Sequence, residues 1–232
     1  MTNALLQIKI KQRLNKLASL DYDNLECWQI QEAFNKAQIE WVRRQIYGLH
    51  IRREGSEQTT GLIDDLRVLL TTMLLPPVDK EIFYEGQLPA DYFYYIRVDA
   101  MAKTKCCGER RMTVYEVEEA NMGLLLTSDT KGPSFEWAET LSTLVGDKVR
   151  VYTNNEFDIT TINLVYYRRP KDVRFIGCVD PSTGQPITAD SICEFKDDIA
   201  EILADETAAI LAGDIESMNQ YQRETQNAQR NS

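Results

Sequence analysis

The hydrophobic residues of this chain change their period twice, and that change limits what the chain can fold into. From Leu6 to Leu70 apolar side chains recur at helical spacing, from Val78 they alternate in short β-branched and aromatic runs, and near Cys193 the helical spacing returns. A helix-period pattern does not settle as a strand, nor the reverse, so the expected class is α+β. Pro76-Pro77 marks the first change, because proline lacks the amide that a helical ladder requires.

The clearest helical stretch is residues 23–53. Ile30, Phe34, Ala37 and Trp41 form its stripe, widened by Ala33, Val42 and Ile46, and Asp23 with Glu26 reads as a capping box. Before it, Leu6, Ile10, Leu14 and Leu17, with Lys9, Lys11, Arg13 and Lys16 between them, predict a basic amphipathic helix. The alternation Leu6, Ile8, Ile10 also fits a short strand. Such a helix is a solvated face over a core, or a surface for a membrane or an acidic partner. Ile63, Leu66, Leu69 and Leu70 predict a third helix, stopped by Pro76-Pro77.

Residues 82–84, 92–102, 111–117, 139–145, 148–153 and 159–167 read as strands of a mostly antiparallel sheet of about five or six strands, with Gly146-Asp147 as a hairpin turn. Residues 118–126 read as a short inserted helix. A last helix, from about Cys193, carries Ile199, Leu203 and Ile210 on one side, beside Ile202 and Ala209. Asp197, Asp198, Glu201 and Asp205 crowd its leading and opposite positions. The expected organisation is an N-terminal helical part over 1–77, an antiparallel β domain over 78–178, and a C-terminal helix over 179–218 that packs back on the first part. The polar tail, 219–232, is ordered by partners. In short, a helical bundle from both ends of the chain is interrupted by a sheet.

The formal charge of −10 is uneven. Lys plus Arg minus Asp plus Glu gives +3 for residues 1–56 (9 − 6), −5 for 57–179 (14 − 19) and −8 for 180–232 (3 − 11). Phosphate binding draws on clustered cations, so this balance disfavours a general affinity for nucleic acid. No apolar run reaches the roughly 20 residues that span a bilayer, and no signal-like segment opens the chain, so the expectation is a protein assembled in a cytosol. Cys27, Cys106, Cys107, Cys178 and Cys193 have no repeated spacing and read as reduced thiols.

Recognisable chemistry is sparse. His50, beside Arg52 and Arg53, reads as a helix-end or surface residue, without a nucleophile or an orienting carboxylate. Cys106-Cys107 has no Cys-x-x-Cys partner, and no glycine-rich phosphate loop occurs, so neither a metal nor a cofactor is expected. Asp64-Asp65, Glu118-Glu119 and Asp197-Asp198 are neighbours that point apart on a regular element. The basic pairs Arg43-Arg44, Arg52-Arg53, Arg110-Arg111 and Arg168-Arg169, and the aromatic runs 92–95 and Tyr166-Tyr167, suit contact surfaces instead. Arg43, Arg44, Tyr166, Tyr167, Arg168 and Arg169 are the candidate interface residues.

Two segments carry a family resemblance. The first runs Lys11-Gln12-Arg13-Leu14-Asn15-Lys16-Leu17, Asp21-Tyr22-Asp23-Asn24, Trp28-Gln29-Ile30, Glu32-Ala33-Phe34-Asn35-Lys36-Ala37-Gln38 and Glu40-Trp41-Val42-Arg43-Arg44-Gln45. The second runs Leu164-Val165-Tyr166-Tyr167-Arg168-Arg169-Pro170, then Gly177, Asp180 and Cys193-Glu194-Phe195. Both resemble the head-to-tail connector, or ring, proteins of short-tailed bacteriophages of the crAss-like group. The resemblance implies a non-enzymatic virion protein, assembled in the host cytoplasm, that forms a homo-oligomeric and typically dodecameric ring. That ring docks on the portal protein, meets neighbouring tail or ring proteins, and lines the channel through which genomic DNA passes without specific binding or any membrane contact. A nucleic-acid-binding module, another virion ring or tail protein, and a small enzyme are the rival expectations. The first would need its arginine pairs on one face, and the last a shielded cluster of carboxylates.

Overall fold

In the computed structural model the described residues are 1–14, 25–47, 65–104, 107–128, 130–180, 183–214 and 226. Among them the order of elements is α1 (Asn3–Leu14), α2 (Cys27–Tyr47), β1 (Leu70–Leu75), β2 (Val78–Asp79), β3 (Phe83–Gln87), β4 (Tyr92–Lys103), β5 (Arg110–Glu116), α3 (Glu119–Leu126), β6 (Glu139–Val145), β7 (Lys148–Tyr152), β8 (Asp158–Arg168) and α4 (Asp197–Asp214). The class is α+β. Two compact units divide the chain, Met1–Val68 with Pro170–Ser232 and Leu69–Arg169, so the sheet unit starts and stops some nine residues earlier than the expected limits of 78 and 178.

In the helical unit α1 and α2 both pack on α4. Helical spacing, not strand alternation, governs α1: Leu6, Ile10 and Leu14 are buried while Ile8 is 52% exposed. The stripe of α2 buries Ile30, Ala33, Phe34, Ala37, Trp41 and Val42. Full burial of Ile30 or Phe34 is worth about 1.5–3 kcal/mol each. The start of α2 differs from expectation, since the amide of Glu26 donates to Oε1 of Gln29 at 2.9 Å. Glu26 is thus the residue before the first turn, with its amide satisfied by the Gln29 side chain, while Asp23 lies outside the described residues. The last helix begins at Asp197, not near Cys193. Its small residues Ala200, Ala204, Ala208 and Ala212 are all buried, which lets its neighbours approach closely.

The acidic face of α4 meets the basic face of α1. Lys9 and Arg13 pair with Glu201, and Arg13 also pairs with Asp205. The α-amino group of Met1 pairs with Asp197. The basic helix thus has its acidic partner within its own unit. Between β8 and α4 an extended segment is tied to α2: the Val173 amide donates to Asn35 Oδ1 (2.8 Å), the Phe175 amide to Gln31 Oε1 (3.0 Å), and Asn35 Nδ2 to the Val173 carbonyl (3.2 Å). A disulfide between Cys27 and Cys178, with Cα atoms 5.8 Å apart, makes the same connection covalently. This corrects the expectation of reduced thiols for Cys27 and Cys178, while Cys107 and Cys193 are free: a sequence separation of 151 residues hides a pairing that only the tertiary packing creates.

The sheet unit holds one curled, mixed sheet of eight strands in the order β1-β8-β4-β5-β6-β7-β3-β2. Every pair is antiparallel except β5 with β6. β1 and β2 are opposite edges, yet only Pro76-Pro77 separates them in sequence, so the sheet must curl until its edges approach. At this seam a Cβ on Gly86 would lie 3.0 Å from Leu75 Cβ, which is why β3 carries glycine there. The concave side is filled by Leu75, Tyr84, Val98, Met112, Val149, Val151, Ile159, Ile162, Leu164 and Tyr166. The parallel β5–β6 step passes through α3, whose Met122 packs outside the sheet on Leu141 and Tyr152.

The expected third helix is not continuous to Pro76-Pro77. After a short 3-10 turn over Arg67–Leu69, residues Leu70–Leu75 form β1, because Thr71 and Thr72 favour extended backbone and β8 offers a complete ladder from Leu70↔Tyr167 to Leu75↔Ile162. The start of that helix, with Ile63, lies outside the described residues.

Candidate functional site

The six candidate interface residues fall in different units. Arg43 and Arg44 lie on α2, whereas Tyr166, Tyr167, Arg168 and Arg169 lie at the end of β8 and just beyond it. Arg43 is exposed. Arg44 is half-buried and its Nη2 pairs with Glu206, a carboxylate only 5% exposed on α4. Burial pushes the Glu206 carboxyl up to about 7, against the pull of Arg44 and with a smaller push from Glu40 and Asp205. Arg44 is therefore a core counter-ion of the helical unit.

Tyr166 is 2% exposed. Its hydroxyl donates to Asp91 Oδ1 at 2.9 Å and its ring stacks on Tyr92 at 5.9 Å, and burial followed by the Asp91 bond raises it to about 12. Tyr167, one position on, is half-buried on the convex face opposite Leu70, with its hydroxyl raised by burial. Arg168 donates from Nη1 to the Arg169 carbonyl at 3.2 Å, and the exposed Arg169 donates its amide to the Asp91 carbonyl at 2.7 Å. Of this group only Tyr167, Arg168 and Arg169 reach solvent.

The Arg110-Arg111 pair braces the sheet unit. Arg110 Nη1 donates to the carbonyls of Phe135 and Glu136 at 2.9 and 3.1 Å, and Arg111 pairs with Asp99 at 2.9 Å. Glu85, on the convex face, accepts from Lys148 at 3.2 Å and Arg150 at 3.1 Å, and these bonds, led by Lys148, hold its carboxyl below the usual range. Arg150 also lies 4.8 Å over the Phe83 ring. His50, Arg52, Arg53, Asp64 and Cys106 are outside the described residues. Among the described residues no three His, Cys, Asp or Glu side chains cluster as metal ligands, and no helix is long and apolar enough to cross a membrane.

Two features that the sequence reading missed stand out. A cavity of about 490 Å³ beside the start of β6 is lined by Leu126, Pro133, Trp137, Glu139, Asn154 and Glu156, among others. Trp137 is 76% exposed, unusual for the side chain with most to gain from burial. Asn154 has a positive φ of 51°, the left-handed turn conformation that asparagine tolerates, and this sets the rim. The second feature is the extended segment of the helical unit. There Arg174 is exposed between two fully buried anchors, Val173 and Phe175, with Ile176 and Ile192 exposed nearby at 63% and 58%. The alternation Val173, Arg174, Phe175, Ile176 signals an in-out segment, and only an aromatic in a loop signals the cavity.

In comparisons with known proteins, no family model matches this chain, and no curated protein is similar to it.

Proposed function

We propose that this chain is a structural virion protein that forms a ring, joins the capsid portal to the tail, and lines the channel through which the genome leaves. The observation that carries this reading is the resemblance to connector ring proteins of the stretches 11–17, 21–24, 28–30, 32–38 and 40–45, and of 164–170, Gly177, Asp180 and 193–195. Their placement supports it. Within the helical unit, Gln31 and Asn35, in the span of the first group, bond the backbone of Val173 and Phe175, in the span of the second, and Cys193 Sγ lies 3.7 Å from Gln38 Oε1. Two distant pieces of sequence thus pack together inside one unit.

In this reading α1, α2 and α4 make a helical bundle that packs side by side around the ring, while the sheet unit engages the adjacent tier. Glu201, Asp205 and Glu206 are already neutralised by Lys9, Arg13 and Arg44, so a channel wall that repels phosphate draws on carboxylates outside this contact. Of the described arginine pairs, Arg43-Arg44 lies in one unit and Arg110-Arg111 and Arg168-Arg169 in the other, and Arg44, Arg110 and Arg111 are engaged by carbonyls or carboxylates, which favours a DNA-passing role over a DNA-binding one.

The test is composition of purified mature particles together with DNA retention. The expected result is the chain as a fixed-copy virion component that is not retained on DNA at physiological salt. Its absence from mature particles, or turnover of a substrate by the isolated chain, overturns the reading.

A further inference from the structure

We infer that Arg174 of one copy docks into the Trp137 cavity of the next, making the contact that repeats around the assembly. This rests on the ring reading above and names the surface through which copies meet. A closed ring needs a heterologous interface, in which two different and complementary patches are carried by every subunit.

Arg174 is built as a rigid knob. Its amide and carbonyl are bonded to Ser191 at 3.0 Å each, and Asn3, itself buried, donates a further bond to its carbonyl at 2.9 Å. Buried Val173 and Phe175 hold the backbone on either side, so the backbone is ordered before docking and the cost left is the rotamer freedom of the arginine side chain itself. Ile176, two residues on, and Ile192, next to its bridge partner Ser191, are exposed in the same segment, together with the carboxylates Asp172 and Asp190. An exposed arginine with exposed isoleucines in the same segment has the composition enriched at interfaces.

The Trp137 cavity has the complementary chemistry. Glu139 and Glu156 supply negative charge, and no lysine or arginine is among its described lining residues. One carboxylate oxygen of Glu139 accepts from Tyr115 at 3.2 Å. The exposed indole offers its face to a cation, while Leu126 and Pro133 offer apolar wall to the isoleucines. A planar guanidinium stacked on the indole can bond carboxylates in its own plane, which an ammonium cannot match. The knob belongs to the helical unit and the socket to the sheet unit, so one contact uses both units of the chain.

The test uses the full chain, measured by sedimentation velocity, with tryptophan emission compared between the wild type and W137F as a second readout, so that the part belonging to Trp137 is separated from Trp28 and Trp41. R174E and E156R each weaken assembly about tenfold or more, R174K weakens it partially, and the double reversal R174E/E156R recovers it. Both positions are exposed, so the isolated variants melt as the wild type does. On assembly the indole emission shifts to the blue in the wild type and not in R174E. If the wild type forms rings and both single reversals form them equally well, the contact is wrong and the ring stands. If no ring forms from the wild type alone or on portal particles, the ring reading fails and the contact with it. Loss of portal docking by R174E with self-assembly intact would make the portal the occupant and overturn the proposal.

Discussion

Glu206 sits where its ordinary ionisation is most opposed. With its carboxyl raised to about 7 in the fold and near 4.5 when unfolded, the native state holds more protons than the unfolded state between those values. Stability from this group is therefore full below about pH 4.5 and declines as pH rises towards 7, by on the order of 1–3 kcal/mol. Glu206→Gln keeps a hydrogen-bond acceptor for Arg44 and removes the titration. Thermal melts at pH 5 and pH 7.5 should show a smaller difference for this variant than for the wild type, and an unchanged difference would refute the assignment. At Gly86 the constraint is steric: Gly86→Ala drives a methyl against Leu75 and should cost about 1–3 kcal/mol in denaturant unfolding, whereas a neutral effect would mean that the seam is looser than described. Neither feature is legible in the sequence, because each depends on what another element brings alongside. The same holds for Tyr166 and Tyr167. Composition marks both, but only the register with β1 and β4 sends one inward and the other outward.

Elements were more legible than residues. Strands β4 to β8 and the short α3 fall within a few residues of their sequence-based limits, since turn signals such as Gly146-Asp147 bracket strongly β-branched runs. β1 was hidden because Leu66, Leu69 and Leu70 satisfy a helical spacing, and the pairing with β8 that decides the matter lies nearly a hundred positions away. The Cys27–Cys178 link was hidden for the same reason. Its reduction removes the covalent tie between the extended segment and the start of α2, leaving the hydrogen bonds to Gln31 and Asn35, and should lower the stability of the helical unit by about 2–4 kcal/mol. Thiol titration of the denatured chain should find two fewer thiols before reduction than after. Equal counts would show that the bond does not form.

Across the full chain, the α+β class was readable from the change of period, while the curl of the sheet was not. The curl follows from a two-residue diproline link between opposite edges, a topological fact with no local signature. Removing residues 219–232 should leave cooperative melting intact and weaken assembly, because that stretch has little apolar surface to bury on its own. Loss of cooperative melting in the truncation would assign those residues to the fold instead. The most direct measurement is class-averaged electron microscopy of the purified chain mixed with its portal, compared with portal alone. Our reading predicts an added ring of copies, coaxial with the portal and open at its centre. Portal particles indistinguishable with and without the chain, at concentrations where the chain is folded, would contradict it.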